Sequence, residues 1–465
     1  MIKVLGEKFT RLFLKYMPNA FVFAILLTLI TGLGAILWTG ASPMETIASW
    51  YKGFFDLLAF AMQIVLIIIT GFCIALSSVI KKGIDILAQY IKTPAQVYFF
   101  VVLTGSLLCL ISFGWVVIGC VLARELAQRV KGVNYPYLVA CVYFSMGSWV
   151  LGFSSSIPLL LNSENNFLIN TGVLTDVIPT SFTLQSSLNL IMIVVILLGS
   201  PLLLWLLRPK SSSQKELKDL MMPDYVEDSV SIQEEASQLK LPFKAVSDKL
   251  NNSVLLQMII VLMGIAYIIY HFSTRGLDLN FNIMIFIFLI VGLFLHRTPL
   301  RYVISMRRAS NNVSGIIFQY PFYAGIMGIM LYTGLGEQLG MILASVANID
   351  NFPFYAYLTG GIVNFAIPSA GGEFAVIGPS IIDAVKELGA GLPEVEVTAM
   401  ISRASMSVAY GESLSNLLQP FYLLIVLPIM GQGVRIQARD IMGYFVIPFV
   451  IFFILQTALV VWVPL

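Results

Sequence analysis

Apolar residues in this chain fall into runs of membrane-spanning length. Nine such runs cover 20–38, 57–80, 137–161, 188–207, 254–270, 281–295, 313–331, 399–430 and 441–463. A bilayer core about 30 Å thick is crossed by roughly 20 helical residues, so each run predicts one spanning helix. Two further apolar stretches, 95–126 and 352–385, are too long for one crossing. Each is interrupted, the first by Ser112-Phe113-Gly114 and the second by Pro368-Ser369-Ala370-Gly371-Gly372. That text predicts re-entrant hairpins, two short helices meeting at a non-helical tip. The expected fold is an all-α polytopic membrane protein with about nine spanning helices, two hairpins and two broken helices.

The charge pattern supports this assignment. With the amino terminus in the cytoplasm and both interrupted stretches re-entrant, Lys81, Lys82, Lys92, Arg124, Arg129, Lys131, Arg208, Lys210, Lys215, Lys218, Arg297, Arg301, Arg307, Arg308, Arg435 and Arg439 all fall on the cytoplasmic side. Lys52, Arg275 and Lys386 are the main exceptions. This is the bias of the positive-inside rule. One hairpin then enters from the cytoplasm and the other from outside, and the carboxyl terminus lies outside. The basic flank Lys3, Lys8, Arg11 and Lys15 precedes a first run longer than a signal-peptide core of roughly 7–15 residues. It is read as a retained transmembrane helix.

The halves also resemble each other. Leu103-Thr104-Gly105-Ser106 aligns with Leu358-Thr359-Gly360-Gly361, Gln63 with Gln319, and Gly152-Phe153-Ser154-Ser155-Ser156 with Gly411-Glu412-Ser413-Leu414-Ser415. The expected organisation is a first transmembrane repeat over 1–207, a polar cytoplasmic linker over 208–252, a connecting helix over 253–272 and a second repeat over 273–465. The linker carries Ser211-Ser212-Ser213 and a surface helix expected near 239–250. The unpaired connecting helix inverts the second repeat, an arrangement common among secondary transporters.

Composition narrows the function. Of 465 residues, 58% are hydrophobic and 11% charged, and the net charge is +2; mean hydropathy is +0.89. Soluble domains carry roughly 25% charged residues. No basic block suits nucleic acid, and no G-x-x-x-x-G-K-[ST] loop suits ATP. No nucleophile–base arrangement stands out, so the chain is not expected to be an enzyme, and no cofactor is expected. Cys73, Cys109, Cys120 and Cys141 read as small buried apolar residues.

Backbone that leaves the helix at membrane depth must face protein or water. The hairpin tips and the breaks near 147–158 and 411–420 are therefore the candidate site. Half-helix amino termini there suit a carboxylate. Ser369, Gly371, Gly372, Ser413 and Asn416 are the candidate contacts to substrate or coupling ion, with Ser112, Gly114, Ser154, Ser155 and Ser156 as their pseudo-symmetric partners. Small-residue helix packing is the structural alternative for each. Ionisable residues at depth are functional candidates by default. Glu412 or Glu373 is expected to carry a coupling proton, and Arg403 to attract the anion or offset a glutamate. A structural ion pair is the alternative. A sodium ion, if used, is expected near Asn364 and Asn416.

At Phe318-Gln319-Tyr320-Pro321-Phe322-Tyr323-Ala324-Gly325-Ile326, at 364–372, at Ala409-Tyr410-Gly411-Glu412 through Asn416, and at Gln419-Pro420-Phe421, the sequence resembles the bacterial short-chain fatty acid transporter family, the acetoacetate and butyrate uptake permeases. The opening segment 9–18 and Leu58-Ala59-Phe60-Ala61-Met62-Gln63 are similar too. The resemblance covers nearly the whole chain. It implies a bacterial inner-membrane carrier for a small organic anion, driven by H+ or Na+, with elevator-like motion. Homodimers are frequent in the broader ion-transporter group. Dicarboxylates or peptide-like compounds remain the alternative substrates, and a channel or an intramembrane enzyme the alternative classes.

Overall fold

A computed structural model describes residues 18, 20–56, 58–163, 167–170, 172–209, 215–223, 231–241, 243, 245–276, 281–310 and 313–463. The basic flank at Lys3, Lys8, Arg11 and Lys15 and the Ser211-Ser212-Ser213 run lie outside these residues. No strand occurs among the described residues beyond one isolated bridge, Met221 to Val434.

The first half comprises α1 (Ala20–Gly34, continued by a π-turn over Ala35–Thr39), α2 (Pro43–Asp56), α3 (Leu58–Ala75), α4 (Ser78–Tyr90), α5 (Pro94–Ile111), α6 (Val116–Arg129), α7 (Tyr135–Met146), α8 (Ser156–Leu161) and α9 (Ser187–Leu207). In the linker lies α10 (Ile232–Gln238), and α11 (Val254–Arg275) follows it. The second half comprises α12 (Phe281–His296), α13 (Pro299–Ser310), α14 (Ser314–Tyr332), α15 (Leu335–Ser345), α16 (Phe352–Val363), α17 (Ala370–Leu388), α18 (Glu394–Ser415), α19 (Leu423–Met430) and α20 (Val446–Trp462).

Six continuous helical segments among the described residues are long and apolar enough to cross a membrane, or up to eight if bent pairs count as single spans. The surface agrees with a lipid environment. On α11, Leu255, Leu262 and Met263 are exposed at 74%, 66% and 65%, which water would penalise and hydrocarbon does not. Both interrupted stretches form helix–break–helix pairs. The expected run 57–80 covers α3 and only the first three residues of α4, and no expected element covers α2, α13 or α15. These shorter helices carry more polar residues, so a hydropathy window does not see them. The linker differs from expectation too. Helix occupies Ile232–Gln238 and Val246–Asn251, on either side of the middle of the expected 239–250 helix.

Small residues set the helix contacts. A Cβ at Gly53 on α2 would lie 2.3 Å from the Gly328 Cα on α14, so those backbones touch. The first hairpin packs on the first broken span where Gly105 meets Ser145, 2.2 Å from a Cβ to Oγ. The second hairpin packs on the second broken span where Gly360 meets the Val408 carbonyl, 2.4 Å from a Cβ. Gly152 approaches the Leu110 carbonyl, and Gly411 the Tyr357 carbonyl, both at 1.9 Å from a Cβ. Without a hydrophobic drive between helices in lipid, such close backbone approach supplies the packing energy.

The linker is docked at two places. Its start runs along the turn after α6 and the end of α19: Tyr135 N–H donates to the Lys215 carbonyl at 2.9 Å, Met222 N–H to the Gly433 carbonyl at 2.9 Å and Arg435 N–H to the Leu220 carbonyl at 2.8 Å. Further on, α10 lies on α13. Glu235 pairs there with Arg307 and Arg308, above a small apolar contact of Ile232, Ala236 and Ile304.

Candidate functional site

The four non-helical places converge. In the first break, Ser154 Oγ accepts the Phe113 N–H of the first hairpin tip at 2.9 Å. Phe153 N–H donates to the Leu110 carbonyl at 2.9 Å, and Ser148 Oγ donates to the Ser106 carbonyl at 2.8 Å. These bonds satisfy backbone groups that the chain exposes on leaving the helix. Ser112 is the buried residue joining α5 to the tip. Gly114 lets the Ile67 side chain within 3.1 Å of where its Cβ would be.

The second hairpin meets the same break. Gly371 approaches Ser156, 3.6 Å from a Cβ at residue 371 to the Ser156 Cβ. Ser369 precedes α17 in an extended conformation and makes no side-chain cap bond; its carbonyl accepts the Glu373 N–H at 2.7 Å. The first amides of α17, Ala370 to Gly372, have no acceptor within the helix, and the helix dipole adds positive charge there. Ser154, Ser156, Ser369, Gly371 and Gly372 are half-buried, whereas Ser112, Gly114, Ser155, Ser413 and Asn416 are buried.

The two broken spans touch directly, although α18 stays helical through Ser415, so that the second break starts at Asn416 and not at Gly411 as expected. Ser413 Oγ donates to the Gly147 carbonyl at 2.8 Å, and the Tyr143 hydroxyl donates to the carbonyls of Asn416 at 2.7 Å and Gln419 at 3.0 Å. Around the second break runs one amide network. Asn364 Nδ2 donates to the Glu412 carbonyl, Ser415 Oγ and Asn416 Oδ1 at 3.1, 2.7 and 2.9 Å. Gln419 Nε2 donates to the Asn364 carbonyl at 3.0 Å and to Asn416 Oδ1 at 2.9 Å. Asn364 Oδ1, Gln419 Oε1 and both carboxyl oxygens of Glu412 and of Glu373 are buried without a hydrogen-bond partner. The Asn416 side chain approaches the Glu412 carboxyl without completing a bond of good geometry. Both glutamates are buried among these groups, where an isolated carboxylate is costly, which makes them the candidate ionisable groups of the site.

Arg403 is placed elsewhere. Its Nε donates to the Val460 carbonyl at 3.0 Å, and its Nη2 to those of Val461 at 3.0 Å and Val463 at 2.6 Å. It therefore caps the carboxyl end of α20, where a cation offsets the helix dipole, and its recorded bonds reach neither glutamate. Arg124 does the same for α19, donating to the Ile429 carbonyl at 3.0 Å. Sequence reasoning passed over Gln419 as a ligand, although it stands in the second break. It also missed Tyr143 and the Asn189–Tyr410 bond at 3.0 Å, for which a single hydroxyl or amide inside an apolar run gives no signal.

Broken helices and hairpin tips, gathered with small and hydroxyl residues inside an apolar-surfaced helical bundle, belong to a multi-pass membrane protein. The model for the short chain fatty acid transporter family matches residues 1–463, and the chain belongs to that family. Two proteins named as candidate short-chain fatty acid transporters align over 96% of this chain and 96% of their own lengths. One, from Escherichia coli (strain K12), is 37% identical, and the other, from Haemophilus influenzae, is 34% identical. The solved structure of Neisseria gonorrhoeae MtrF, described as illuminating a class of antimetabolite efflux pumps, aligns over 98% of this chain and 97% of that one, at 13% identity and a TM-score of 0.40.

Proposed function

We propose that the protein is a secondary active carrier that takes up short monocarboxylates such as butyrate and acetoacetate across the bacterial inner membrane. The observation that carries this reading is the meeting of Gly371 and Ser156 at the amino terminus of α17. Free amides and two nearby serines, Ser156 and Ser369, offer a carboxylate several donors, while a single small anion needs no arginine. The engagement of Arg403 with carbonyls of the last helix leaves it unsuited to hold a second carboxylate, which disfavours dicarboxylates.

Two inverted repeats moving as an elevator fit the recurrence of the same element order, α3 to α9 and α14 to α20. The aligned glycines support this as well: Gly105 and Gly360 each meet the following broken span, and Gly152 and Gly411 each meet the preceding hairpin arm. Coupling runs through Glu412, by a proton on its carboxyl or by a sodium ion held with Asn364 and Gln419 oxygens. The three share one network and each has an oxygen left over. An amino terminus inside, a carboxyl terminus outside and a homodimer complete the proposal.

The test is uptake by purified protein in proteoliposomes, using a panel of labelled monocarboxylates of increasing chain length, with sodium and proton gradients imposed separately. Saturable accumulation of C4 acids under one gradient is expected. Uptake equal to empty vesicles for every acid would overturn the reading.

A further inference from the structure

One face of α14 carries a second set of unpaired polar atoms. Gln319, Tyr323 and Met327 stand four residues apart and so share a face of that helix. The Tyr323 hydroxyl is buried, its residue 1% exposed, and it has no hydrogen-bond partner; Gln319 Oε1 is likewise buried and unpartnered. The stripe faces the site described above. The Tyr323 ring packs edge-on against Phe421 of the second break, centroids 4.8 Å apart. Met327 Sδ lies 3.5 Å from where a Cβ of Gly372 would be, at the second hairpin tip. From Phe421 an aromatic wall continues through Tyr422 and Phe113 to Trp149, with centroids 5.2, 5.4 and 5.3 Å apart in turn.

The corresponding face of α3 is different. Gln63, the residue aligned with Gln319, spends its amide on Asn282 at 2.7 Å. Ile67 stands in the place of Tyr323 and packs on Gly114, and Gly71 stands in the place of Met327 and packs on Val117. The half-related helix thus seals its hairpin tip with apolar side chains, while α14 presents a hydroxyl and an amide oxygen that are buried without a partner.

A buried hydroxyl without a partner weakens the fold that holds it. We propose that Tyr323 is a substrate-binding residue: its O–H donates to an oxygen of the short aliphatic monocarboxylate, and the Phe421–Tyr422–Phe113 wall receives the alkyl chain and limits its length. The inference rests on the carrier reading above. It adds that recognition is one-sided, made by α14 of the second half and not by its counterpart α3.

The test uses full-length protein in proteoliposomes, with uptake of labelled butyrate and acetoacetate and the melting temperature in detergent measured on the same preparations. For Tyr323→Phe, an unchanged or raised melting temperature is expected, with KM raised ten-fold or more for C4 acids. Phe113→Ala is expected to shift the preference toward longer acids. Unchanged KM in Tyr323→Phe overturns the inference while leaving the carrier reading intact. Lost uptake together with a lowered melting temperature assigns the hydroxyl to the fold and also overturns it. A wild-type protein that moves no short monocarboxylate removes both.

Discussion

The side chain of Ser413 donates its hydroxyl hydrogen to the backbone carbonyl of Gly147 at 2.8 Å. One residue lies in the last turn of α18, the other at the start of the break after α7, so this bond ties the halves of the chain together beside both breaks. A hydrogen bond of this kind contributes about 0.5–1.5 kcal/mol net. Ser413→Ala is expected to lower stability by about that amount and to reduce uptake by more than the stability change explains. Thermal melting and initial uptake rates on one preparation measure both.

The close-approach glycines predict a contrast. A methyl group at Gly411 would lie 1.9 Å from the Tyr357 carbonyl, whereas one at Gly83 meets nothing within 4 Å. Gly411→Ala should destabilise by about 1–3 kcal/mol or more, the cost of overpacking. Gly83→Ala, inside a helix, should stabilise by about 0.5–1 kcal/mol. Opposite shifts in melting temperature are the expected result.

The docking of α10 on α13 depends on charge. Glu235 pairs with Arg307 and Arg308, with Glu235 and Arg308 only 19% and 13% exposed. Glu235→Arg should release the helix, measured as faster proteolysis of the linker, and adding Arg308→Glu should restore protection. Neighbouring Glu234 is held below the usual carboxylate range by the Ser231 amide and hydroxyl that cap with it. A lowered folded value means that this contribution is present at neutral pH and is lost as pH falls through that value. Linker protection should therefore weaken only under acid conditions, and Ser231→Ala should move the loss to higher pH.

Glu412→Gln keeps the size of the side chain and removes its charge. If the carboxyl carries the coupling proton or holds sodium, gradient-driven accumulation should fall several-fold more than substrate exchange. Equal losses in the two assays would count against coupling at this residue.

Hydropathy made the long helices and the two interrupted stretches legible, because lipid imposes one length and one composition on whatever it surrounds. The tips were legible for a related reason: Pro368, Gly371 and Gly372 inside an apolar stretch contradict a simple span. The short helices α2 and α13 escaped, since their mixed composition looks like a loop. The bonding of Arg403 was not legible, because the carbonyl it donates to comes from a residue nearly 60 positions away. Tyr323 was likewise hidden, as an unpaired hydroxyl is a property of three-dimensional packing.

The most direct measurement places a thiol at the meeting point of the two halves. Ser156→Cys, in a protein whose own four cysteines are buried, should react with a small water-soluble thiol reagent. Butyrate should slow that reaction with half-protection at its transport KM, while an equal concentration of a neutral C4 alcohol should not. Labelling that no short monocarboxylate alters, in a protein that still transports them, would contradict a carboxylate site between Ser156 and Gly371.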